Sequence, residues 1–175
     1  MYNFLNLDEE TRKQMTNEIN WAIENNQLYY SKRFLENMRE KWQSLFIEAA
    51  KSHAEHWLAF QIEDNLMLKG FEIAKKPKGG YTTKHVPETA SETLSSGQFN
   101  RYYIIGLCQR ALAEGNKFVE IYRAKESTNS RFESESLVGK KIDATKLITE
   151  LRNLESSLRS DLLKPNSGLS VRLIA

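Results

Sequence analysis

Cysteine is nearly absent from this chain of 175 residues: Cys108 stands alone. A single thiol closes no internal disulfide and offers no cysteine pair to a zinc ion, which argues against secretion. No stretch approaches the roughly 18 consecutive apolar residues of a helix that crosses a bilayer. The opening MYNFLNLDEETRKQ turns acidic at position 8 and has no apolar core of signal-peptide length. The chain therefore reads as cytoplasmic, or assembled from a cytoplasmic pool, with no membrane partner. The signatures of several enzyme classes are missing as well. There is no HExxH, no GxSxG nucleophile elbow, no GxxxxGK[ST] and no GxGxxG.

What is present is enough for a packed interior. Hydrophobic residues make up 40% and aromatic residues 10%, against 27% charged, a balance that builds a core rather than a disordered chain. The length suits one domain, 1–175. Net charge is only +2, but it is unevenly spread: residues 1–69 carry 11 acids against 8 Lys/Arg, and residues 70–175 carry 12 against 17. The basic remainder permits an anionic partner.

Apolar spacing divides the chain into a helical cluster (1–69), an extended arm (70–98) and a helix-strand-helix-strand portion (99–175). Met15, Ile19, Ala22 and Ile23 predict a helix from about Asn6 to Asn25, opened by Asn6 with Glu9 or by Asp8. Trp42, Leu45, Phe46 and Ala49 predict a second over about Ser31–Ala50, with a break near Asn37. Ser52 with Glu55 has the form of a capping box for a third, whose inner face would hold Trp57, Leu58, Ile62 and Leu66. Residues 70–98 hold two of the three prolines and four of the eight glycines and read as an arm or loose hairpin. Tyr81–Val86 would be a short strand, and Ser95-Ser96-Gly97 a loop. A central helix over Gln98–Glu114 follows, ended by Gly115, with Gly106 marking close packing. Val119 and Ile121 alternate in a strand over Phe118–Ala124. Asp143 caps a last helix running to about Ser160 with Leu147, Leu151, Leu154 and Leu158 on one stripe. Pro165, Asn166 and Gly168 turn the chain into a terminal strand over Leu169–Leu173. The order predicts an α+β fold, mainly helical, with a small antiparallel or mixed sheet.

Candidate chemistry is sparse. His53 and His56, three apart, would share a helix face, but no third ligand has a place, so no metal site and no cofactor are expected. Cys108 falls in an apolar stripe, unlike the open electropositive setting of a reactive thiol. Glu120 and Lys125 in EIYRAKE evoke a metal-dependent nuclease, yet strand alternation puts residues five apart on opposite faces. The arm carries the more telling cluster. Lys75, Lys76, Lys78, Lys84 and Tyr81, with Arg101 and Arg123 expected nearby, combine cations with an aromatic face. That combination suits nucleic acid, and an extended arm equally suits a neighbouring protein subunit.

The blocks KPKGGYTT, GQFNRYYI, IYRAK and NSGLSVRL resemble those of an uncharacterised bacterial and prophage-associated protein family. The likeness covers most of the chain from Lys76 onward. Ile105 and Phe132 stand where the family pattern has a basic residue and a proline, and the loop after Leu154 is shorter. The resemblance implies no catalytic residues and no activity. It points to a non-enzymatic structural or assembly protein, such as a capsid-associated or connector-type virion component. The alternative from the residues themselves is a nucleic-acid-binding module, including a metal-dependent nuclease. On the first reading, deletion of residues 75–90 is expected to abolish assembly and spare the helical fold.

Overall fold

A computed structural model describes residues 1–126, 135–153, 160, 162 and 167–174. The first helix, α1, spans Glu9–Glu24, and Asp8 is its N-cap, accepting from the Thr11 N–H at 3.2 Å. Its apolar stripe, Met15, Ile19 and Ala22, is buried as the spacing requires. The second helix, α2, covers Arg39–Ser52, so the predicted start at Ser31 is corrected. Asn37 takes a left-handed φ of 65°, and Phe34 bridges to Leu68. That pairing holds the segment before α2 extended instead of helical.

The third helix, α3, is Glu55–Asp64. No capping box forms, because Ser52 still belongs to α2 and Ala54 is the N-cap without a side-chain bond. Glu55 instead accepts the Tyr2 N–H at 2.7 Å. Leu58 and Ile62 face the core, whereas Leu66, with φ 48°, is exposed. Strands β1 (Phe71–Lys75) and β2 (Tyr81–His85) then form an antiparallel hairpin.

The long helix α4 covers Ala90–Ala113. Ser95, Ser96 and Gly97 thus lie inside a helix, and the extended arm ends near His85. Tertiary packing overrides the weak helix preference of these residues: Ala90, Ser91 and Ser95 are buried, and Ser91 donates to Glu63 on α3. Gly115, with φ 82°, follows the helix end. Strand β3 (Phe118–Arg123) sits between β4 (Lys141–Asp143) and β5 (Leu169–Arg172), antiparallel to both. β4, with Ile142 its one apolar residue, was not expected. Asp143 caps the helix that follows, α5 (Ala144–Arg152), accepting from the Lys146 N–H at 3.0 Å. Leu147 and Leu151 are buried, as expected. The outer half of that stripe, Leu154 and Leu158, lies outside the described residues, as do Pro165 and Asn166.

The fold is α+β and mainly helical, with two small antiparallel sheets among the described residues. One hydrophobic cluster runs from Met15 on α1 through Trp42, Phe46, Phe99 and Tyr103 to Val119 and Val171 in the three-stranded sheet. α4 lies at its centre, against α1, α3 and α5. Gly106 lets α1 approach closely: a Cβ there would stand 2.8 Å from both Met15 N and Met15 Cγ. The N-terminal segment straps across this body. Phe4 stacks on Tyr2 and meets Phe99 and Tyr103 at a tilt, and the phenols of Tyr122 and Tyr103 accept the Leu5 and Asn6 N–H groups.

Candidate interaction surface

The hairpin stands away from this core. Among the described residues its strands make at most glancing contact with any other named helix or strand. Its turn is Lys76-Pro77-Lys78-Gly79-Gly80, closed by the Lys76 N–H on Gly80 O at 3.0 Å and the Gly79 N–H on Lys76 O at 3.1 Å. Gly79 and Gly80 take φ of 92° and 79°, conformations that a Cβ penalises, so the Gly-Gly pair is what lets so short a turn close.

Register decides what each strand offers. Phe71 pairs with His85, Ile73 with Thr83 and Lys75 with Tyr81. Bonds run from the Val86 N–H to Gly70 O and from the Lys76 N–H to Gly80 O, so the even-numbered positions exchange hydrogen bonds within the hairpin. Antiparallel alternation then turns the N–H and C=O of the odd positions outward. Phe71, Ile73 and Lys75 line one free edge, and Tyr81, Thr83 and His85 the other. The same six side chains share one face, and it is open: Phe71 is 56% exposed, Ile73 77% and Tyr81 73%. The Phe71 and His85 rings meet at 4.3 Å, tilted by 39°. Beside β1, the segment 33–35 already pairs with 67–69, through the Leu35 N–H on Met67 O and the Lys69 N–H on Arg33 O. No such segment flanks β2 among the described residues.

The opposite face anchors the ribbon. Glu72 accepts from Arg33 at 2.7 and 3.0 Å and pairs with Lys84 at 3.2 Å. The Arg33 guanidinium chiefly, helped by Lys84, holds the Glu72 carboxyl below its ordinary value.

Of the seven residues predicted to touch a partner, the hairpin carries five: Lys75, Lys76, Lys78, Tyr81 and Lys84. Lys84 is engaged with Glu72, on the anchoring face. The ammonium groups of Lys75, Lys76 and Lys78 have no ion-pair partner among the described residues. Arg101 is a correction: it is buried in α4, donating to Leu151 O at 2.8 Å and Arg152 O at 3.4 Å. It satisfies the C-terminal carbonyls of α5 and meets no outside phosphate. Arg123 is corrected too. It lies half-buried on β3, donating to Ser167 O at 3.0 Å, and is no part of the ribbon. Phe71 and Ile73 were missed. The alternation in FEIAK before a Gly-Gly turn is the signal that points to them.

The other candidates resolve into structural roles. His53 is the C-cap of α2 in extended conformation and His56 belongs to α3, so they do not share a helix face as predicted. His53 instead stacks on Trp57 at 4.2 Å. Together with Arg12, His56 and Phe60 they line an open depression of about 610 Å³. Arg12 is occupied there, donating to Ala50 O at 2.9 Å and His53 O at 2.8 Å at the negative end of α2. Cys108 is fully buried, and burial pushes its thiol up to about 12. Glu120 is bound by Arg172 across the sheet. Among the described residues, no three acidic, histidine or cysteine side chains cluster to hold a metal, and no helix is long and apolar enough to cross a membrane. Comparison with protein-family models, curated proteins and solved structures finds no match.

Proposed function

We propose that this chain is a non-enzymatic assembly protein whose hairpin arm joins protein subunits. One observation carries the reading: the ribbon leaves its edge amides unpaired and exposes Phe71, Ile73 and Tyr81 on the same residues. An isolated two-stranded hairpin is marginal in water, and open edges invite strand addition. The resemblance to prophage-associated chains makes a virion component the setting we favour.

The unpaired ammonium groups of Lys75, Lys76 and Lys78 support a second reading, a nucleic-acid-binding ribbon. Mass in solution separates the two. Light scattering on the purified chain at low and physiological salt, with and without DNA, is expected to show a defined oligomer indifferent to DNA. Replacing Phe71, Ile73 and Tyr81 together by serine is expected to return it to monomer with its helical spectrum unchanged. This replacement is cleaner than deleting residues 75–90, which would cut into the start of α4 at Ala90. A monomer that gains mass only on DNA at low salt overturns the assembly reading. So does an oligomer that the triple replacement leaves intact.

A further inference from the structure

We propose that the subunit bound by this arm is a second copy of the chain, joined through the free edge of β2 about a twofold axis at Thr83. The proposal rests on the assembly reading and specifies its edge, register and stoichiometry.

The two edges are not equivalent. Beyond Gly70, the outer side of β1 runs into the segment 33–35, already paired with 67–69. A second hairpin laid antiparallel along β1 would drive its turn into that segment. The outer side of β2 meets no such segment among the described residues. Its outward N–H and C=O groups, on Tyr81, Thr83 and His85, can pair with the same three residues of a second copy. The register is then Thr83 with Thr83, Tyr81 with His85 and His85 with Tyr81. Each pair exchanges two hydrogen bonds. A symmetric contact of this kind closes at a dimer.

Side chains and charge agree with that register. Within one hairpin the rings of Phe71 and His85 already touch, tilted, at 4.3 Å. The register sets Tyr81 of the second copy on the other side of His85, which extends that contact into a row of three rings across the sheet. Threonines meet at the axis, and Thr–Thr and aromatic pairs are favourable across strands. Lysine near a strand edge ordinarily discourages pairing. Here the antiparallel arrangement sends the two turns, with Lys76 and Lys78, to opposite ends of the sheet. Each turn arrives at the base of the other hairpin, where exposed Glu88 and Glu92 precede and open α4. The result is a four-stranded sheet from two marginal ribbons.

Proline substitutions test the edge. Because the Thr83 N–H points outward, Thr83→Pro removes a bond to a second copy and leaves the hairpin's own ladder intact. Ile73→Pro does the same on the β1 edge. Light scattering is expected to give a dimer for the wild type and for Ile73→Pro, and half that mass for Thr83→Pro. A second measurement does not depend on proline being tolerated. Thr83→Cys brings two thiols together at the axis, at a Cα separation of about 5.5 Å, within disulfide reach. Oxidised glutathione, as the electron acceptor, is expected to convert Thr83→Cys to a covalent dimer and to leave Ile73→Cys monomeric on a non-reducing gel. Cys108 is buried and contributes no background. If Ile73→Pro breaks the dimer and Thr83→Pro does not, or if Thr83→Cys fails to cross-link an oligomer that the serine replacements dissolve, the β2 register is wrong while the assembly reading stands. A wild-type monomer overturns both.

Discussion

An alanine at position 106 would bring its Cβ within 2.8 Å of Met15 N and Met15 Cγ. The Cγ can swing away, but the backbone nitrogen cannot. Alanine gains about 1 kcal/mol of helix propensity over glycine, while overpacking a core costs about 1–3 kcal/mol, and here the clash is with backbone. Gly106→Ala is therefore expected to lower stability by about 1–2 kcal/mol in urea unfolding, and Met15→Ala is expected not to rescue it. A stability equal to wild type would mean that α1 moves aside freely. Gly106 was legible in the sequence, because a glycine inside an apolar helical stripe needs a reason. Glu18 was not. Its carboxylate is buried between Gln109 at 2.7 Å and Arg152 at 2.7 and 2.8 Å, with partners 91 and 134 residues away. On α1 it has the spacing of any solvated glutamate. Glu18→Ala is expected to cost about 2 kcal/mol in the same assay. That is below the roughly 3–5 kcal/mol of a fully buried pair, because the Arg152 side chain is 37% exposed and can return to water. Glu18→Gln, which keeps an acceptor, is expected to lose less.

At the scale of elements, the signals that stayed local were the readable ones. Asp8 and Asp143 announce α1 and α5 because a cap is a contact three residues long. The start of α4 was missed because nothing local favours helix in Ser-Ser-Gly; burial of Ser91 and Ser95 against α3 supplies it. β4 was missed because it is only three residues long, with Ile142 its one apolar side chain, and pairing with β3 defines it. The hairpin was half legible: its turn and β2 were read, its exposed face was not. Its anchor has a pH dependence with a definite sign. Glu72 is held below its ordinary 4.5 by Arg33, so the anchor is fully present above pH 4.5 and is lost as pH falls through the lower folded value. Hydrogen exchange of the hairpin's inward amides, corrected for intrinsic rate, is expected to accelerate below pH 4.5 while amides of α4 stay protected. Glu72→Gln is expected to give the same loosening at neutral pH. Equal protection of the hairpin across that range would show that Arg33 and Lys84 do not hold it.

Across the whole molecule, the acidic first third and the basic remainder are stitched together. Asp8 binds Arg110 at 2.6 Å and Glu18 binds Arg152, so a charge asymmetry visible in the sequence becomes cross-links around α4. The aromatic residues at that junction set the limit of the fold at high pH. Burial raises the phenols of Tyr2 and Tyr102 to about 12, and raises those of Tyr103 and Tyr122 as well. A group whose folded value lies above its unfolded value of 10 adds stability below pH 10 and withdraws it as pH rises through the folded value. Tyr103 and Tyr122 also accept the N–H groups that strap residues 1–6 to the body, and Tyr122 donates to Asn3 O at 2.6 Å. Ionising Tyr122 would remove that donor while leaving the phenolate buried. Absorbance at 295 nm, followed with circular dichroism, therefore tests the three fully packed tyrosines, Tyr102, Tyr103 and Tyr122. These three are expected to ionise only together with loss of helix, in one cooperative step well above pH 10. Phe4→Ala, which loosens the strap, is expected to shift that step to lower pH. Smooth ionisation of these three near pH 10 with the helices intact would mean that the strap and its tyrosines open to water without unfolding the core.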